Sequence, residues 1–210
     1  MRNNAFVLSL LIMLCAFSAQ AQRFGARAVL GMNLSQISGD QMAGFDKIGL
    51  HAGLQGTAEI IPKLNLNVEF LYSMRGSKPG IFNNNIDPDI NITLRYIDLP
   101  VYVTYSDWYD AEKGYYKAYF LGGFSYGRLL SATTTDNFND PGSDLDALAE
   151  FFSEDDFSWL AGFGFRLSPR FGLQFRYTSS FNFLLDAEKE GLNTFSLRTY
   201  FITLRGEFIF

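Results

Sequence analysis

The chain has 210 residues, 17 of them basic and 22 acidic, for a formal net charge of −5. That balance supplies no basic face for a phosphate backbone and argues against a nucleic-acid partner. Aromatic residues make up 17% of the chain and 22 residues are Phe, so many large rings must leave water, either for a core or for lipid.

The N-terminus reads MRNN, then the apolar run AFVLSLLIMLCAF, then SAQAQ. A basic start, a short apolar stretch and a small-x-small site at Ala19-Gln20-Ala21 form the three-part pattern of a secretory signal. Residues 1–21 are read as a signal peptide and 22–210 as the mature domain. The run is too short to cross a bilayer comfortably; the competing reading is a retained anchor. Cys15 is the chain's one cysteine and lies inside this run. Leu14 stands before it where a lipidated cysteine would need a small residue. The mature domain then has no thiol for a disulfide or a metal, and no cofactor is expected.

Beyond residue 22 the repeating signal is alternation with period two, the mark of strands with one apolar face. The spacing predicts strands near 23–34, 48–60, 64–74, 90–105, 115–131, 157–167, 171–177 and 196–210. In 64–74 the set Leu64, Leu66, Val68, Phe70, Tyr72 and Met74 alternates with more polar residues. In 157–167 the apolar set is Phe157, Trp159, Ala161, Phe163, Phe165 and Leu167, and in 171–177 it is Phe171, Leu173, Phe175 and Tyr177. In 90–105 the outward set is Ile97, Leu99, Val101, Val103 and Tyr105. In 115–131 both phases are apolar or glycine, and no face is assigned.

The connections alternate in length. Those at 61–63, 106–114 and 168–170 are short to moderate, while 35–47, 76–89, 132–156 and 180–195 are long. Membrane β-barrels are built this way, with tight periplasmic turns and long outer loops. Around 106–114 gather Tyr102, Tyr105, Trp108, Tyr109, Tyr115, Tyr116 and Tyr119; the cluster is read as a periplasmic aromatic girdle, with Tyr105, Trp108, Tyr109, Tyr115 and Tyr116 as its members nearest the turn, because such rings join an apolar body to a polar tip. The long 132–156 segment is acidic. LDALAEFF within it predicts a short helix capped by Ser143 or Asp144, and its carboxylates lack the spacing of a calcium loop.

The fragments GARAVLGMNLSQISGD, GLHAGLQGTAEI, LNLNVEFLYSMRGSK, LRYIDLPVYVTY, AYFLGGFSYGRLLSA, FSWLAGFGFRL and GLQFRYTSSFNFL, in this order, resemble the PorT-like or "porin family" outer-membrane β-barrel domain over 23–210. The resemblance implies an all-β, eight-stranded antiparallel up-and-down barrel in the outer membrane of a Gram-negative cell, and no single activity.

If the apolar faces meet lipid, the opposite faces send Arg27, His51, Glu59, Glu69, Arg75, Asp98, Arg166, Arg176, Arg205 and Glu207 inward. An eight-stranded barrel is just wide enough to hold side chains, which predicts a packed ion network in preference to a small-solute channel. His51 is the one histidine, so a lipid-modifying mechanism based on histidine would have to use it. No Gly-x-Ser-x-Gly elbow, phosphate-binding glycine loop or His-Glu-x-x-His is present, and no catalytic activity is expected. The partners expected are outer-membrane lipid, the barrel-assembly machinery and, through the loops, extracellular or secretion-system proteins, with the barrel itself a monomer. A soluble lipocalin-type barrel is the alternative fold reading. At the C-terminus, Tyr200, Phe208 and Phe210 face lipid on the closing strand, a pattern resembling the signal read by the assembly machinery.

Overall fold

Eight antiparallel strands close on themselves in chain order in the computed structural model, which describes residues 24–39, 44–78, 90–136, 151–191 and 195–210. They are β1 (Phe24–Ser38), β2 (Lys47–Ile61), β3 (Leu64–Ser77), β4 (Ile90–Asp110), β5 (Tyr115–Asp136), β6 (Asp155–Arg166), β7 (Phe171–Ser180) and β8 (Arg198–Ile209). Each strand pairs with the next, and β8 returns to β1 from Arg27↔Ile209 to Ser38↔Arg198. Closure leaves no edge, which is the condition for a sheet to sit in hydrocarbon. The soluble-barrel alternative fails on burial. Leu30, Leu54, Phe70, Val101, Phe120, Phe124 and Leu204 are all exposed on the outside, whereas Arg75, Glu69, Arg205 and Glu207 are buried inside.

All eight expected strands are present, and most run longer than their sequence pattern. β4 reaches Asp110 and β5 begins at Tyr115, so the moderate connection at 106–114 shrinks to the turn 111–114. The turn between β2 and β3 is Pro62-Lys63, with Lys63 at φ 75°, a left-handed value of the sort tight hairpins require. The segment at 132–156 is correspondingly shorter as a loop, because β5 continues to Asp136 and β6 starts at Asp155. The expected helix over LDALAEFF lies outside the described residues, except for Phe151 and Phe152.

β5 has a definite face after all. Tyr119, Leu121, Ser125 and Gly127 are buried inside, and Phe120 and Phe124 are exposed outside. Glycine hides this phase because large neighbours need its space. A Cβ on Gly127 would stand 2.6 Å from Asp98 Oδ1 and 3.0 Å from Arg75 Nη2, and a Cβ on Gly164 would overlap the Tyr119 ring.

The barrel has two zones stacked along its axis. Strand geometry alternates without a break along β4, yet its chemistry inverts. Asp98, Tyr102 and Thr104 face inward with Leu99, Val101 and Val103 outward, but one turn of the pleat higher Ile92, Leu94 and Tyr96 face inward with Thr93 and Arg95 outward. β1 and β8 do the same. Ile37 is fully buried beyond Asn33 and Ser35, and Leu197 is buried beside exposed Arg198. The lower zone is apolar outside and polar inside. The upper zone carries outward Thr93, Arg95 and Arg198 beside exposed Leu130, Phe183 and Phe195, over an apolar core of Ile37, Ile92, Leu94, Tyr96, Phe152, Leu184, Leu185 and Leu197.

Candidate functional site

The lower interior is filled by charge. Glu69 on β3 is the hub. Arg176 on β7 donates Nη1 to Glu69 Oε2 (3.1 Å) and Nη2 to Oε1 (3.2 Å). Arg205 on β8 donates Nη1 to Oε2 (3.0 Å) and Nη2 to Oε1 (2.5 Å). The Tyr102 hydroxyl on β4 donates to the same Oε1 at 2.5 Å. Inward positions on four strands therefore meet on one carboxylate. Nearer the short turns, Glu207 takes Arg27 Nη1 (2.7 Å), the Tyr119 hydroxyl (3.0 Å), Gln174 Nε2 (2.8 Å) and Arg205 Nη2 (3.1 Å).

Above the hub, Arg75 pairs with Asp98 (3.3 Å) and Asp156 (3.0 Å). Its guanidinium lies over the Tyr96 ring at 3.8 Å and the Phe201 ring at 4.9 Å. Tyr96 also belongs to the apolar core above, so Arg75 marks the junction between the zones. Four arginines (Arg27, Arg75, Arg176, Arg205) thus meet four carboxylates (Glu69, Asp98, Asp156, Glu207) in ion pairs. A buried charge is tolerated when it is paired and hydrogen-bonded in this way. Neutral groups fill the rest: Asn33 joins Ser73 and Thr203, and Gln55, Thr57, Asn67 and Thr104 form a second chain.

Of the residues placed inward from sequence, Arg27, His51, Glu69, Arg75, Asp98, Arg176, Arg205 and Glu207 are buried. Glu59 and Arg166 lie on inward phases near the short turns but are only half-buried, and among the described residues neither has an ion-pair partner. Asp156 was missed, because it fell in the supposed acidic loop. The alternation in 90–105 and 171–177 sets Tyr102 and Gln174 on the inward faces, where they are buried, but without charge they were not counted in the network. Tyr119, grouped by sequence with the aromatic residues near 106–114 on a strand with no assigned face, is buried inward. His51 Nε2 lies 3.3 Å from Arg205 Nη1. No serine or carboxylate hydrogen-bonds to the ring among the described residues.

The aromatic group divides. Tyr105, Trp108 and Tyr109 are exposed on the outer wall, and Tyr109 packs on Tyr116 with centroids 5.1 Å apart. Tyr115 does not belong with them: it is buried on the inward phase, and its hydroxyl donates to the Leu167 carbonyl at 3.3 Å. All five lie on the ends of β4 and β5 instead of in a loop. Tyr200 is half-buried and Phe208 and Phe210 are exposed. Phe208 and Phe210 meet edge to face at 5.5 Å, and the Phe210 amide donates to the Ala26 carbonyl on β1.

A closed sheet with a lipid-matched outer belt, a polar interior and short turns at one end defines a transmembrane β-barrel of the outer-membrane class. The family model described as "Outer membrane protein beta-barrel domain" matches residues 18–186, and the chain belongs to that family. Its place is the outer membrane. None of the curated proteins compared with it matches. Among solved structures it is similar to Ail, the attachment invasion locus protein of Yersinia pestis, at 13% identity and TM-score 0.46, covering 89% of this chain and 99% of that one. It is also similar to Neisserial surface protein A at 12% identity and TM-score 0.44, covering 91% and 100%. A third is the outer membrane protein OprG of Pseudomonas aeruginosa, at 11% identity and TM-score 0.39, covering 90% and 94%.

Proposed function

We propose that the barrel is a filled, non-conducting and non-catalytic anchor that presents its upper zone and long loops to other macromolecules outside the cell. The observation that carries this reading is the Glu69 hub. Side chains from β3, β4, β7 and β8 converge there with almost no exposure, and the apolar core sits above it. A water path would have to break buried ion pairs, and Arg176 has no carboxylate other than Glu69 among the described residues. Conductance of the purified protein in planar bilayers tests it. The reading predicts a flat baseline, and sustained, reproducible openings would replace it with a channel.

Catalysis through His51 is disfavoured by its place in the closed interior, where it is buried and no serine or carboxylate hydrogen-bonds to its ring among the described residues. Within the wider family we place the chain with the PorT-like or "porin family" barrels, on the order of its glycine and aromatic motifs. That suggests accessory work in secretion or adhesion. Residues 1–21 act as the export signal in this account, and Tyr200, Phe208 and Phe210 as the handle for barrel assembly. Phe210→Asp should lower the folded amount in the membrane, read from heat-modifiable gel migration. Wild-type levels would remove the terminal ring from that role.

A further inference from the structure

The chain between β7 and β8 folds back onto the top of the barrel. The Leu184 amide donates to the Leu197 carbonyl (2.7 Å) and the Leu197 amide to the Leu185 carbonyl (2.8 Å), and all three leucines are buried in the upper apolar core. On the other side the Ser153 amide, just ahead of β6, donates to the Leu184 carbonyl (2.7 Å). Asn182 ties the same region down. Its Nδ2 donates to the Asp155 carbonyl (2.7 Å), and its Oδ1 accepts the Phe157 amide (2.8 Å). Asp186 fixes the turn that follows. Its Oδ1 accepts the Lys189 amide (3.3 Å), and its carbonyl accepts the Glu190 amide (3.1 Å).

These tied pieces enclose a cavity of about 350 Å³ on the outer side of the protein, a size that suits a small ligand. Phe151 and Phe183 give it apolar walls, and Asp186, Lys189 and Glu190 give it polar ones. Both rings are exposed. Arg198 lies over the Phe183 ring at 4.7 Å. Among the described residues, two carboxylates and two cations therefore surround the cavity. An anionic ligand would meet Asp186 and Glu190, and a cationic one would meet Lys189 and Arg198, so neither charge is favoured. A wholly apolar ligand would cover ionisable groups and offer them no hydrogen bond.

We propose that this cavity binds one or two rings of a neutral glycan. A sugar ring has an apolar C–H face for the Phe151 and Phe183 rings. Its hydroxyls can donate to Asp186 and Glu190 and accept from Lys189. Because the hydrogen bonds above hold the walls in place, little ordering cost is left for binding. The site rests on the reading that the upper zone is presented outside the cell, and it names the ligand class met there.

The test uses full-length protein refolded in phosphatidylcholine vesicles free of glycolipid, with saturation-transfer NMR from protein to sugar. The probes are maltose, lactose and di-N-acetylchitobiose, with a fully sulfated disaccharide as the charged comparison. At least one neutral disaccharide should receive saturation, and the sulfated one should not compete with it. Phe183→Ala should weaken binding about fivefold through the lost ring contact. Glu190→Ala, on the exposed turn, should weaken it about tenfold through the lost charged acceptor, and it decides the matter if Phe183→Ala fails to fold. Lys113→Gln, on the opposite turn, should change nothing. No transfer to any of the three neutral sugars, or undiminished binding by folded Glu190→Ala, would overturn the proposal. Tighter binding of the sulfated sugar would overturn the neutral class. Failure of sugar binding with a flat conductance trace would remove this site and leave the filled anchor standing, whereas openings with sugar binding intact would do the reverse.

Discussion

Glu69→Gln is the perturbation that the interior should tolerate least. The carboxylate accepts five hydrogen bonds, two each from Arg176 and Arg205 and one from Tyr102. Glutamine keeps the shape but loses the charge and turns one acceptor into a donor aimed at guanidinium or hydroxyl groups. Arg205 would keep Glu207, but Arg176 has no other ion pair among the described residues. Removing one partner of a buried pair costs about 3–5 kcal/mol, because the other charge is left uncompensated. The same argument predicts that Glu69→Gln with Arg176→Gln is less damaged than Glu69→Gln alone, since the stranded charge is removed too. Urea unfolding of protein refolded in vesicles reads both, with Trp159 as a lipid-facing reporter. A Glu69→Gln loss below about 1 kcal/mol, or a double variant that merely adds two separate losses, would refute the hub, because coupled neighbours should not be additive.

Gly164→Leu should fail to reach the heat-resistant folded band, because the new side chain needs the space of the Tyr119 ring. Gly164→Leu with Tyr119→Ala should recover it. Leu185→Asp should loosen the upper zone and spare the lower one. Leu185 is buried and bridges Leu197, and an unpaired carboxylate there costs several kcal/mol. Limited proteolysis in vesicles should then cut within 181–197 while the barrel still migrates as folded. Cutting no faster than wild type would deny the apolar cap a role in holding this segment.

The strands were legible wherever one chemistry held one face throughout. β6 reads correctly from Phe157 to Phe165, and β8 from Tyr200 to Phe208, because lipid demands apolar residues at every outward position. The reading weakened where that demand ended. Ile92 and Leu94 continue the geometric phase of Asp98 and Tyr102, but their hydrophobicity belongs to the other face, so no single apolar stripe runs the length of β4. β5 resisted for a different reason. Its inward positions at Gly123 and Gly127 are empty of side chain because Tyr102, Arg75 and Asp98 occupy that volume, and a residue chosen for what its neighbour needs has no pattern of its own. The ion network was visible as a set of inward charges, but its partners were not. Which arginine meets which carboxylate depends on register and barrel closure, as when Glu69 meets Arg205 across 136 residues of chain. Tyr115 was misplaced for a related reason: tyrosines suit both a membrane interface and a buried hydroxyl contact.

Thiol accessibility in vesicles tests the two-zone, filled barrel most directly. With Cys15 replaced by Ala, single cysteines would be placed at Thr203, inward in the lower zone, Leu94, inward in the upper zone, and Thr93, outward in the upper zone. Thr203 and Leu94 are fully buried and Thr93 is half-buried. A small water-soluble thiol reagent should modify only the Thr93→Cys protein until the barrel is unfolded. Rapid labelling of Thr203→Cys in folded barrels, with Leu94→Cys also reactive, would mean that water runs through the interior and would contradict the account.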